Sequence, residues 1–128
     1  MQKRPALSKA EMEIAKIIWD LGEATVRQTC DALPKSRSLD FTTVQTYLAR
    51  LETKGYLNSR KEGRVKVFRP KVRPKQVIRE ATDDFLNALF GGESLPLVRH
   101  LISDRKMSEE DISEIEAMLE SRREEKRE

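Results

Sequence analysis

Cysteine and histidine are nearly missing from this chain, which has one of each, Cys30 and His100, in 128 residues. A lone cysteine excludes an internal disulfide framework. One of each cannot supply the clustered ligands of a zinc site or a Cys–His catalytic set, so no metal and no cofactor are implied. Glycine is also sparse, with five scattered residues and no Gly-rich phosphate loop. Carboxylates are plentiful but fall mainly on charged helical faces, and an enzyme is not expected. Long apolar runs are absent, because charges interrupt every stretch within a few residues. The start, MQKRPALSKAE, lacks the apolar block of a signal peptide, so the chain is expected to stay in the cytoplasm.

Apolar residues make up 38% and charged residues 37%, enough regularly spaced Ile, Leu and Val to fold. This length suits one domain or two small ones with a modest core. Net charge is only +3, but it is uneven. Residues 1–73 hold 16 Lys and Arg against 8 Asp and Glu, and residues 74–128 hold 9 against 14. The N-terminal part therefore favours a polyanion. The run from Ser121 to Glu128 alternates in sign and is expected to fray.

Ser8 and Glu11 fit a capping box, with Leu7 and Met12 at the staple positions of a first helix. Ile14, Ile17, Ile18 and Leu21 form its core stripe, widened by Ala15 and Trp19, and Gly22 stops it. Thr25 and Gln28 repeat the capping box for a second helix, in which Val26, Cys30 and Leu33 share a side and Pro34 closes the segment. Cys30 reads as a small core residue. A polar connection, 35–39, leads to a third helix that Asp40 or Thr42 can cap. Its inward stripe is Phe41, Val44, Leu48 and Leu51, which leaves Thr43, Gln45, Thr46 and Arg50 facing away. Gly55 ends it. Tyr56 to Lys61 and Arg64 to Arg69 then alternate as two strands around Glu62-Gly63, and Pro70 and Pro74 mark a boundary.

A helix offering hydroxyls, an amide and a guanidinium, followed at once by a cationic hairpin, is the layout of a winged helix-turn-helix on duplex DNA. Arg toward guanine, Gln toward adenine, and Thr by hydroxyl or methyl are the side chains that read base edges, which assigns that role to Thr43, Gln45, Thr46 and Arg50. Phosphate contact falls to Lys61, Arg64 and Lys66 on the hairpin, with Lys54 and any free N–H at Thr42 or Thr43. Tyr47 either touches the phosphate backbone or covers the domain interior.

Beyond Pro74 the period is helical again. Val77, Ile78, Ala81, Phe85, Ala88 and Leu89 make one face of a helix ending at Gly91-Gly92. A shorter apolar segment, Leu95 to Ile102, follows, in which His100 reads as a packed or half-exposed residue. A last helix starts at Ser108, with Asp111 closing its cap and Ile112, Ile115, Met118 and Leu119 on one side. These pieces have too little apolar sequence for a core of their own. A second copy of the chain is the expected cover, which assigns dimerisation to Val77, Ile78, Ala81, Phe85, Leu89, Leu97, Leu101, Ile112, Ile115 and Leu119.

Three stretches also carry a resemblance: Leu-Gly-Glu-Ala-Thr-Val at 21–26, Thr-Thr-Val-Gln-Thr at 42–46, and Arg-Leu-Glu-Thr-Lys-Gly at 50–55, with Phe-Arg-Pro at 68–70. From 7 to about 119 the chain resembles the penicillinase-repressor family of transcriptional regulators, the BlaI, MecI and CopY group. The resemblance implies a homodimer in which winged helices bind the halves of a dyad operator and C-terminal helices interlock. In β-lactam-responsive members the inducing cut falls at an Asn-Phe bond, and the corresponding pair here is His100-Leu101. Copper-responsive members carry C-terminal cysteine pairs, and no cysteine follows Cys30 here. The inducing signal is left open, with a regulatory protease or a membrane sensor as the partner that would deliver it.

The expected fold is mainly α (α+β), with a winged helix-turn-helix DNA-binding domain at 5–72 followed by a helical dimerisation domain at 73–124. The expected function is a sequence-specific dimeric repressor on double-stranded DNA. The alternative from another class is a winged helix that presents the same face to an acidic protein partner.

Overall fold

The computed structural model describes residues 4–37 and 39–127. Position 38 of the expected polar connection and position 128 of the expected frayed end lie outside the described residues. In chain order the elements are α1 (Lys9–Leu21), β1 (Ala24–Thr25), α2 (Val26–Ala32), α3 (Phe41–Thr53), β2 (Leu57–Glu62), β3 (Val65–Pro70), α4 (Pro74–Phe90), α5 (Ser94–Asp104) and α6 (Glu109–Arg127).

Local chemistry sets the helix starts. The Ser8 hydroxyl accepts from the Glu11 N–H while the Ser8 N–H donates to the Glu11 carboxylate, and Thr25 with Gln28 repeats the exchange for α2. Asp40, rather than Thr42, caps α3 by accepting from the Thr43 N–H at 2.8 Å. Gly22, at φ 86°, ends α1 in a region that other residues enter at a cost.

The three strands form an antiparallel sheet in the order β1-β3-β2. β1 was not foreseen: two residues between α1 and α2 pair Ala24 with Phe68 and Thr25 with Val67. In the hairpin Glu62 pairs with Val65, so the loop is Gly63-Arg64, one position later than expected, and Gly63 takes the positive φ of 64° that the tight turn requires. Arg64 thus sits at the tip rather than in a strand.

Two compact units divide between Thr82 and Asp83, part-way along α4 and beyond the expected boundary at 72/73. In the first unit, Ile14 and Ile18 of α1, Val44, Leu48 and Leu51 of α3, Ala24 and Leu57 meet in one core. Val77 joins it at 4% exposure, so it is buried in the chain's own core and is not open to the dimerisation role expected for it. At the edges of the expected stripes, Leu21 and Met12 are exposed.

The second unit contrasts with this. Leu86, outside the expected stripe, is buried there, while Phe85 and Leu89 are exposed, with the Phe85 ring 5.8 Å from that of Phe90. Among the described residues α5 and α6 have no buried side chain. Ser108 and Asp111 cap α6 as expected, but that helix continues through Arg127 instead of fraying at Ser121. His100 lies exposed with its Nδ1 2.8 Å from the Asp104 carboxylate, one helical turn away, and is not packed.

Candidate nucleic-acid interface

α3 faces two ways. Val44, Leu48 and Leu51 fix it against α1 and the hairpin base, and at 3.6 residues per turn the opposite stripe falls on Thr42, Gln45, Thr46, Ala49, Arg50 and Thr53, all exposed. The structure brings Gln45, Thr46 and Arg50 together along a shallow groove of about 450 Å³. Thr43 is half-buried at its edge, with its N–H committed to Asp40 and unavailable to an anion. The exposed Thr46 hydroxyl donates to the Thr42 carbonyl at 3.0 Å, which commits its proton and leaves its oxygen able to accept. Tyr47 is half-buried against the core, and the Arg50 guanidinium stands 5.7 Å from its ring centroid. The ring therefore covers the interior and braces Arg50, since a guanidinium over an aromatic face loses freedom before it meets a ligand.

On the hairpin, Lys61, Arg64 and Lys66 are exposed, and the Lys66 ammonium is 3.9 Å from the Glu52 carboxylate. Arg60 behaves differently. It donates to Glu23 at 2.6 and 3.0 Å and to Glu62 at 2.8 Å. These bonds hold its proton more firmly than usual and hold the Glu23 carboxyl below its ordinary range. Its charge is spent within the fold, which spaces the hairpin from the α1–β1 turn.

Lys54 is a correction. Its ammonium is directed inward, 2.7 Å from Glu11 Oε1 and 3.1 Å from the Ala6 carbonyl, and not toward phosphate. Glu11 is a charged side chain in the core at 2% exposure. Burial alone would raise its pKa, but hydrogen bonds from Lys54 and Ser8, with the charge of Lys54, outweigh that and hold the carboxyl below its usual value. Beside this pair the Tyr56 hydroxyl donates to the Pro5 carbonyl at 2.6 Å, and Arg4 bridges to Glu80 at 2.6 Å. The end of α3 is thus tied to the N-terminal arm.

Phe41 is a second correction, 44% exposed at the head of the expected inward stripe. It is the first residue of α3, and its ring stands 5.6 Å from the Arg27 guanidinium on α2.

The penicillinase repressor family matches residues 7–121. The chain belongs to this family. It is 34% identical over 128 residues to the penicillinase repressor of Bacillus licheniformis, covering all of both chains. It is 23% identical over 113 residues to the methicillin resistance regulatory protein MecI of Mammaliicoccus sciuri, covering 88% of this chain and 92% of that one. The solution structure of the DNA-binding domain of the repressor BlaI superposes with a TM-score of 0.51 at 39% identity, over 58% of this chain and 90% of that one. The winged-helix fold of the first unit is therefore that of the family.

Sequence reasoning missed Ala49 and Arg27. Ala49 was legible as the position one turn after Gln45, where a small side chain lets a partner approach closely. Arg27 carried no signal, because its neighbourhood with Phe41 arises only once α2 and α3 have packed. Among the described residues no group of three or more His, Cys, Asp or Glu could hold a metal ion, and no helix is long and apolar enough to cross a membrane.

Proposed function

We propose that this DNA-binding transcriptional repressor works in the cytoplasm as a homodimer on a two-fold operator, each protomer laying α3 in the major groove of one half-site. The reading rests on one observation: Gln45, Thr46 and Arg50, types that bond or pack against base edges, share the exposed stripe of a helix whose other side is locked in the core. Lys61, Arg64 and Lys66 on the hairpin hold flanking phosphates and set the register without reading sequence. Repression is steric, by occupation of the promoter, and involves no catalysis.

The exposed stripes of α4, α5 and α6 support pairing with a second copy, because apolar faces of this extent are otherwise a liability in water. Coupling two half-sites raises the effective concentration of the second contact. A regulatory protease or membrane sensor that loosens the C-terminal helices then releases the operator without touching α3. Selection of bound duplexes from a random pool tests this reading. Its expected result is a dyad motif with half-sites about 10 base pairs, or a multiple, apart. A motif without symmetry contradicts the homodimer, and no enrichment at all contradicts DNA reading.

A further inference from the structure

Between α2, the start of α3 and the hairpin lies an open groove of about 610 Å³ whose lining carries Arg27, Lys61, Arg64 and Lys66 and no carboxylate. Apart from Thr25 and Gln45 the rest of its wall is apolar, and it includes Phe41 and Val65, each close to half exposed. Among the described residues Arg27 has no ion pair, and its guanidinium is held 5.6 Å from the centre of the Phe41 ring. Two features of this groove need an occupant. Four cations converge where, among the described residues, only Lys66 has a carboxylate within 4 Å, that of Glu52, and large apolar side chains stay in water beside them.

We infer that this groove seats one sugar-phosphate strand of the bound duplex, with Arg27 donating to a phosphate and the Phe41 ring packing against a deoxyribose. The inference rests on the DNA reading above and extends its footprint from α3 and the hairpin onto α2. A nucleic-acid strand alternates an anionic group with a less polar sugar, and the groove offers the complementary alternation. The guanidinium suits this task because its planar fork of donors matches phosphate oxygens, and stacking on Phe41 leaves its N–H edge free while limiting its rotamers. Phe41 is then a positioning residue for Arg27 as well as a contact.

Fluorescence anisotropy with the full chain, on the selected operator and on a scrambled duplex from about 50 to 200 mM salt, tests the inference. Arg27→Gln is expected to weaken both complexes alike and to flatten the slope of log affinity against log salt by about 0.9 per protomer. Arg27→Lys should restore the slope, since it returns the charge. Phe41→Leu should weaken binding with the slope unchanged, since it removes the ring but no charge. If Arg27→Gln matches wild type on both duplexes, the groove lies outside the footprint, and the wild-type affinity still stands for DNA reading. A loss confined to the operator makes Arg27 a base reader and overturns its phosphate role. If wild type binds neither duplex, this inference falls together with the function it rests on.

Discussion

In the first unit Val44, Leu48 and Leu51, spaced at helical intervals on α3, are completely buried. In the second, Leu89 on α4, Leu101 on α5, and Ile112 and Leu119 two turns apart on α6, equally apolar and each on a stripe of helical period, are between 39% and 67% exposed. The periodicity is of the same kind, but its destination differs. α3 finds α1, α2 and a three-stranded sheet within its own chain, whereas α5 and α6 bury nothing among the described residues. A helical stripe therefore specifies that a face must be covered, and the amount of apolar sequence around it determines whether its own chain can do so. The comparison also separates two conditions: a finished core fixes the exposed face of α3, and on the proposed reading the unfinished one is what a second copy would cover.

The largest test of this contrast lies in the core. Leu48→Ala should cost about 2–5 kcal/mol by leaving a cavity, lowering the thermal midpoint equally at all protein concentrations. A shift that depends on concentration would put Leu48 at an interface.

The buried ion pair comes next. Lys54→Met should cost about 3 kcal/mol, since it leaves the buried Glu11 charge without its counter-ion and, among the described residues, with only the Ser8 N–H bonded to it. Because the Glu11 carboxyl sits below its ordinary pKa in the fold, its contribution is complete above about pH 4.5 and is lost as pH falls further. Acid titration of unfolding should show a weaker pH dependence in Glu11→Gln than in wild type below that pH. Identical acid limbs would remove the pair from the account.

Arg50→Ala should weaken operator binding by about 1–3 kcal/mol and relax preference at one base per half-site, read by competition among single-base variants. Unchanged preference would mean that another face reads. Leu101→Ala should leave the folded first unit intact and cost the dimer about 1–2 kcal/mol, shifting sedimentation toward monomer. An unchanged mass distribution would leave its exposure unexplained by pairing. The smallest effect is expected from Lys66→Ala, which Glu52 already partly neutralises. It should flatten the salt slope by no more than about 0.9 per protomer, alike on specific and random duplexes.

Much of the fold was legible because it is local. Ser8 with Glu11, Thr25 with Gln28 and Ser108 with Asp111 announce helix starts within four residues, and each cap forms as its spacing implies. The exposed face of α3 was legible for the same reason, since burial of Val44, Leu48 and Leu51 dictates where Gln45, Thr46 and Arg50 point. Non-local facts were not legible. Phe41 fits the inward stripe by spacing but, at the first position of α3, is 44% exposed beside Arg27 of α2. Val77 fits a dimer stripe but starts a helix whose first turns pack on the winged unit. Lys54 resembles a phosphate contact until Glu11, 43 residues earlier, turns out to lie beside it. β1, only two residues long, has no alternation to detect and exists because β3 offers it an open edge.

The most direct test of the central claim is the mass of the complex on a duplex carrying the selected dyad, measured by sedimentation as protein is titrated. The account predicts saturation at two chains per duplex, with a duplex holding a single half-site binding far more weakly. Saturation at one chain per dyad, with equal affinity for the half-site duplex, would contradict it.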